Sequence, residues 1–408
     1  MPTFDFDTPI DRNNMGCAKW DRRTDAEKAA NVVPMSIADM EFRGPPCVTE
    51  VMERAARHGA FGYTDPDGAY YDAVAGWMRG RHGWETRHAW IVPQNGVVPA
   101  MCVAVRAFTE PGERVIIQSP GYYPFREAVL ANGREPVFNP LTRGEDDVYH
   151  MDLDGLRRQA ADPRAKMMFL CSPHNPVGRI WTREELGAVA DICGEHHVLV
   201  VSDEIHFDLE LYGKHIVFAQ AAPQMADQCV ILTAPGKSFN LAGLQISNAI
   251  IPNETLRARL RERVHADGYS NIAYFGYHAT LAAYTKGEPW LDAMLAYVRQ
   301  NFSFLKNWLQ DNLPAIRLLP VQGTYLAWTD WRGLGMADAE LARFARGEAM
   351  LILGQGKAFG QEGEGFMRLN LALPRAELER ALERLGKAAK ARGFREGTPG
   401  RGFAPYPA

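Results

Sequence analysis

The sequence predicts an α/β fold: a large unit with a mainly parallel mixed sheet flanked by helices, and a smaller α+β unit. Two observations carry this. Short apolar runs rich in β-formers alternate with helical patterns through the middle of the chain, as in crossover-connected strands. After about residue 285 the pattern changes to long amphipathic stretches around two short strand candidates, which indicates a separate α+β arrangement.

The strand candidates of the large unit are RVIIQSP (114–120), KMMFLCSP (166–173), VLVVSDE (198–204), CVILTAP (229–235) and ISNAIIP (246–252). Between the second and third lies TREELGAVADICGEHH, which opens with Thr182 and Glu185 at capping-box spacing and continues with apolar residues at helical intervals, so it reads as a crossover helix. In VPQNGVVPAMCVAVRAF, Asn95-Gly96 makes a turn and a helix begins near Val97 or Val98. The smaller unit has helical stretches WLDAMLAYVRQNFSFLKNWLQDNL and ELERALERLGKAAKAR around strand candidates GTYLAW and FMRLNLAL. The expected division is 1–46 as an N-terminal segment of the smaller unit, 47–288 as the large unit, 289–392 as the rest of the smaller one, and 393–408 as a Gly- and Pro-rich tail.

Composition narrows the class. The 408 residues are 46% apolar and 23% charged with a net charge of -4, which describes an ordinary globular protein rather than a disordered or fibrous one. No basic stripe offers a footprint for nucleic acid, and RARLRERVH (257–265) reads as the solvated face of one helix. Six cysteines at 17, 47, 102, 171, 193 and 229 are scattered without a C-x-x-C pair, the pattern of reduced thiols in a cytoplasmic protein. The N-terminus lacks the basic-then-apolar order of a signal peptide, and no apolar run approaches the ~18 residues of a membrane span.

Three strand ends carry polar residues that do not suit a core. SPHNPVG turns at Asn175-Pro176 and leaves an amide at the rim. Asp203 follows VLVVS, in low dielectric, where an ionised carboxylate needs a cation or strong donors. Alone it reads equally well as a cap or an internal salt bridge. Lys237 sits in VILTAPGKSFNLAGLQ, just past a buried strand broken by Pro235-Gly236; a lysine in isolation is a solvated surface charge, but ligands bind at such strand ends. Asn175, Asp203 and Lys237 lie 28 and 34 residues apart at the ends of three consecutive strand candidates, so one sheet edge offers an amide, a carboxylate and an amine. Pyridoxal phosphate needs this set: a lysine for its aldehyde, a carboxylate against its ring nitrogen, a donor for its phenolic oxygen, and helix N-terminal amides for its phosphate. The turn at Gly96 and Val97 supplies the last.

The strings SPHNPVG, VVSDEIH, TAPGKSFNLAGLQ and GFMRLNLALP resemble, in order and spacing, the class I/II aminotransferase family of fold-type I pyridoxal-phosphate enzymes. Within it the chain is most similar to the MalY/PatB-type cystathionine β-lyases, or C-S lyases, through FDTPIDRNNMGCAKWD, IADMEF, GYTDPDGAYYDAVAGW, SPGYYPF, DEIH and QGTYLAW. The resemblance implies that Lys237 forms the Schiff base with the cofactor and acts as acid and base, that Asp203 pairs with the ring nitrogen, and that Asn175 bonds the phenolic oxygen. It places Tyr122 on the cofactor ring and among the catalytic groups, Gly96 and Val97 under the phosphate, and His206 at the cofactor. Arg368 takes the substrate carboxylate, with Tyr123 and Asp39 on the substrate side. Tyr63 reaches the phosphate of the neighbouring subunit in a homodimer.

The implied activity is α,β-elimination from cysteine thioethers; an aminotransferase using the same residues is the alternative, and a regulatory protein binding a transcription factor a further one. Two departures stand out. Ala234 and Gly236 replace hydroxyl residues the family often carries before the lysine, leaving backbone amides, Thr233 or Ser238 to compensate. ILGQGKAFG has Gln355 and Lys357 where C-S lyases tend to have a proline and a small hydroxyl residue.

Overall fold

The computed structural model describes residues 4–269 and 271–394, so the expected tail beyond 394 lies outside the described residues. Seven strands form the main sheet: β1 (Ile91–Gln94), β2 (Arg114–Ser119), β3 (Glu135–Pro140), β4 (Ala165–Cys171), β5 (Leu199–Asp203), β6 (Cys229–Thr233) and β7 (Ser247–Ile250). Their spatial order is β1-β7-β6-β5-β4-β2-β3. Neighbours from β6 to β3 run parallel, and β7 lies antiparallel between β6 and β1. ISNAIIP is thus a strand, as its apolar run predicts, but of reversed direction, which periodicity does not encode.

The sheet is buried on both faces, and the alternation of side chains shows it. Ile116, Met168, Leu170, Val200 and Ile231 join one apolar cluster, whereas Val115, Ile117, Met167, Phe169, Val201 and Leu232 join another on the opposite face. The second cluster includes Val97, Ala100, Met101 and Ala104 of a helix, Val97–Phe108, that covers that face. The predicted crossover helix spans Arg183–Glu195 with both halves of its capping box formed by Thr182 and Glu185. Helix Glu254–Ala266 contains the basic run; most of it is solvated as expected, but Arg257 is buried and donates to the carbonyls of Ile251 and Pro252, each at 2.9 Å.

A second sheet of four antiparallel strands has the order Arg317–Leu318, Leu326–Asp330, Phe366–Asn370, Gly354–Gln355. Two long helices, Glu288–Asn312 and Arg375–Ala391, bury apolar stripes beside it. Val33–Pro34 pairs in parallel with Leu351–Ile352, tying the N-terminal segment to the later half of the chain. No helix among the described residues is long and apolar enough to cross a membrane.

Candidate active site

Register brings the three polar strand ends together. Cys171 of β4 pairs with Asp203 of β5, and Asp203 with Leu232 of β6. Asn175 follows the first of these and Lys237 the last, so amide, carboxylate and amine converge on one cavity of about 320 Å³, lined also by Gly96, Val97, Tyr122, Tyr123, His206 and Arg368. The lysine is carried on a four-residue helical turn, Pro235–Ser238, that begins as β6 ends.

Burial sets the charge states. Asp203 is 2% exposed, and among the described residues its carboxylate accepts from the Ile205 amide, at Oδ1, at 3.1 Å. Desolvation therefore raises its pKa to about 7, against the pull of that amide and of Lys237. Desolvation likewise lowers Lys237 to about 8; Asp39 and Asp203 oppose this shift and Arg368 adds to it. Arg368, lowered to about 10 by burial, donates from Nη1 to Asn175 Oδ1 at 2.8 Å and from Nη2 to the Ser36 carbonyl at 2.6 Å, with its guanidinium 4.6 Å from the centre of the Phe359 ring. His206 is buried and held well below the usual imidazole range, chiefly by desolvation, so its ring is neutral; its Nδ1 has no partner among the described residues. Burial also pushes the Tyr122 phenol up.

Gly96, which also lines the cavity, precedes the first turn of helix Val97–Phe108, and no side chain caps it. Its φ of 101° belongs to the region that favours glycine, and a Cβ there would lie 3.0 Å from Gln245 Oε1. The uncapped amides of this turn form an anion cradle.

One segment is marked in the sequence only by the string IADMEF. Residues 36–40 run over the cavity and contribute carbonyls rather than side chains: Ser36 to Arg368, and Ala38 to both Lys237 Nζ and the Tyr325 hydroxyl, the latter at 3.0 Å. Asn370 fixes the segment through the carbonyls of Ile37 (2.8 Å) and Asp39 (2.6 Å). Asp39, expected on the substrate side, does not line the cavity. Its carboxylate turns to Arg12 at 2.9 Å and Lys19 at 3.3 Å, because two buried or half-buried cations on that side offset its desolvation. Tyr63 also lies outside the cavity of its own chain and is 98% exposed. Neither hydroxyl considered as a compensating group lines the cavity: Thr233 Oγ1 has no partner among the described residues, and Ser238 Oγ donates to Asp208. Gln355 lines the cavity edge, and Lys357 is half-exposed with Nζ 3.9 Å from Asp338.

The chemistry of these groups fits pyridoxal phosphate: a lysine whose charge burial weakens, a desolvated carboxylate short of partners, a neutral imidazole with a bare nitrogen, and uncapped helix amides. Fold and site define a pyridoxal-phosphate-dependent enzyme of fold type I. The sequence profile described as aminotransferase class I and II matches residues 30–385, and the chain belongs to that family. It is 42% identical to cystathionine beta-lyase PatB of Bacillus subtilis, over 95% of this chain and 100% of that protein. It is 34% identical to the protein MalY of Escherichia coli, over 95% and 99%. Among solved structures, cystalysin from Treponema denticola, which contains a pyridoxal 5'-phosphate cofactor, superposes with a TM-score of 0.92 at 38% identity, over 96% of this chain and 100% of that one.

Proposed function

We propose that the protein is a C-S β-lyase that cleaves L-cystathionine or related cysteine thioethers, with water, to pyruvate, ammonia and a thiol. The observation that carries elimination over transamination is the end-to-end similarity to the Bacillus lyase; the cavity residues serve either reaction. When bound, pyridoxal phosphate supplies an aldehyde that condenses with amines and a protonated ring that draws off the electron pair left at the substrate Cα.

The chain's own groups do the rest. Asp203 would hold the ring nitrogen, where its carboxylate, ionised against that cation, would keep the nitrogen protonated. Asn175 commits its Oδ1 to Arg368 and so offers its NH2 as the donor to an oxygen in the cavity. Arg368 has five N–H donors, two of them engaged by Asn175 and Ser36, which leaves three for the planar fork that grips the substrate carboxylate. Lys237, lowered by burial to about 8, loses its proton far more readily than an ordinary lysine, and its neutral amine takes the Cα proton as base.

The exposed ring of Tyr63 supports a homodimer in which each subunit's Tyr63 reaches the phosphate end of its partner's cavity. The pairing of 33–34 with 351–352 supports assigning residues 1–46 with 289–392 to a smaller domain, beside a large domain of 47–288. Six free cysteines support a cytoplasmic setting. Purified enzyme given L-cystathionine and no 2-oxo acid should release pyruvate; amino-group transfer to added 2-oxo acids without pyruvate from any thioether would overturn the lyase reading.

A further inference from the structure

Behind the lysine turn lies a buried carboxylate that touches nothing in the cavity. Asp208 is 0% exposed, and all its bonds point away from the site. Oδ1 accepts from Trp77 Nε1 at 3.0 Å and lies 2.8 Å from His82 Nε2, both on helix Gly68–His82; Arg81 Nε of the same helix lies 3.9 Å away. Oδ2 accepts from the hydroxyl of Ser238, the residue next to Lys237. A buried carboxylate is costly unless strong donors satisfy it, and here three do.

The lysine turn is otherwise thinly anchored. Pro235–Ser238 is a single turn, and Ala234 before it offers no capping side chain. Gly236 has no side chain at all. The two positions where this family often carries hydroxyls are therefore silent. Apart from the bond of Lys237 itself to the Ala38 carbonyl, the turn's side-chain hydrogen bond to the rest of the fold, among the described residues, is that of Ser238. Ser238 is itself fully buried and is held on the side of the turn away from the cavity.

We propose that Asp208 is a positioning residue for Lys237: through Ser238 it clamps the lysine turn to helix Gly68–His82 and so sets where the Lys237 amine sits in the cavity. Trp77 adds stiffness, since its ring stacks on Tyr284 at 5.2 Å and meets Phe239, two residues past Lys237, edge-on at 5.5 Å. The charged groups whose fields act on the amine, Asp39, Asp203, Arg368 and Lys19, are not members of the clamp. A slackened turn therefore changes the amine's position and hydration and leaves those charges in place.

The inference rests on the assignment of Lys237 as the residue that binds the cofactor, and the test separates the two. In the holoenzyme, the absorbance band of the lysine-bound cofactor is titrated with pH, and kcat and KM are measured, for wild type and Ser238→Ala. The substitution removes one buried oxygen and no volume beyond it. The clamp predicts a titration midpoint displaced upward as the nitrogen gains water, and kcat lowered about tenfold to a hundredfold with KM little changed, as a small misplacement of a reacting group does. Ser238→Thr, which keeps the hydroxyl, should restore both. Asp208→Asn keeps a hydrogen-bonding group at the junction while weakening the clamp, and it should lower kcat with KM little changed, as Ser238→Ala does. Loss of thermal stability alone, with midpoint and kcat of the folded Ser238→Ala enzyme as in wild type, overturns the proposal. A wild-type enzyme with no such band would instead overturn the reading of Lys237.

Discussion

Replacing Asp203 with asparagine should make the protein more stable without its cofactor and less able to hold and use it. The side chain is 2% exposed and receives one backbone hydrogen bond, so its pKa rises from an ordinary 3.8 to about 7. Between about pH 4 and pH 7 the folded apoprotein keeps a proton that the unfolded chain has released. More protons bound in the folded state means that stability falls as pH rises through this window, and the loss is complete above pH 7. The neutral amide of the variant has no such proton to lose. The difference in apoprotein Tm, followed by thermal melts from pH 4 to pH 8, should move steadily in favour of Asp203→Asn.

With cofactor the sign reverses. A charge-assisted hydrogen bond to the ring nitrogen is worth ~1.5–3 kcal/mol, so cofactor affinity measured by equilibrium dialysis should fall roughly tenfold to a hundredfold, at about 1.4 kcal/mol per tenfold. Turnover should fall further, because a neutral amide does not keep the ring nitrogen protonated. Parallel melting curves at every pH together with unchanged cofactor affinity would refute both the burial argument and the role of Asp203.

Other outcomes follow from the same geometry. Arg368→Ala should chiefly raise KM for the amino-acid substrate, since a carboxylate fork acts in ground and transition states alike; an unchanged KM in steady-state assays would remove Arg368 from the substrate site. Tyr63→Phe and Lys237→Ala should each be impaired, the latter completely. If each Tyr63 serves its partner, mixed dimers carry one doubly damaged and one intact site, so activity should rise on subunit exchange. Exchange shown by mass spectrometry without recovery would place Tyr63 in its own subunit's site or outside any site.

Much of this site is legible in the sequence because its parts sit at breaks between apolar strands. Asn175, Asp203 and Lys237 announce themselves as polar residues where an apolar run stops, and Gly96 as a turn before a helix. Register then brings them together, with Cys171, Asp203 and Leu232 in one row. What was not legible has a physical reason in each case. The carbonyls of Ser36 and Ala38 belong to the backbone and leave no side-chain signal. The string IADMEF marks its segment but does not say that Asp39 turns toward Arg12 and Lys19, which depends on how residues 12–19 fold back over it. The clamp of Asp208 joins residues 77, 82, 208 and 238, and no local pattern links positions so far apart. The reversed direction of β7 is likewise a property of its connections, since the same apolar run satisfies either orientation.

Elimination and transamination share the proton transfer at Cα and differ in what happens next, so the two rates on one preparation decide between them. L-cystathionine should yield pyruvate, ammonia and thiol in equal amounts, while transamination of L-alanine or L-aspartate should proceed at least ~100-fold more slowly, a difference of about 2.7 kcal/mol in barrier. Amino-group transfer as fast as or faster than pyruvate release, measured side by side on the same enzyme, would contradict it.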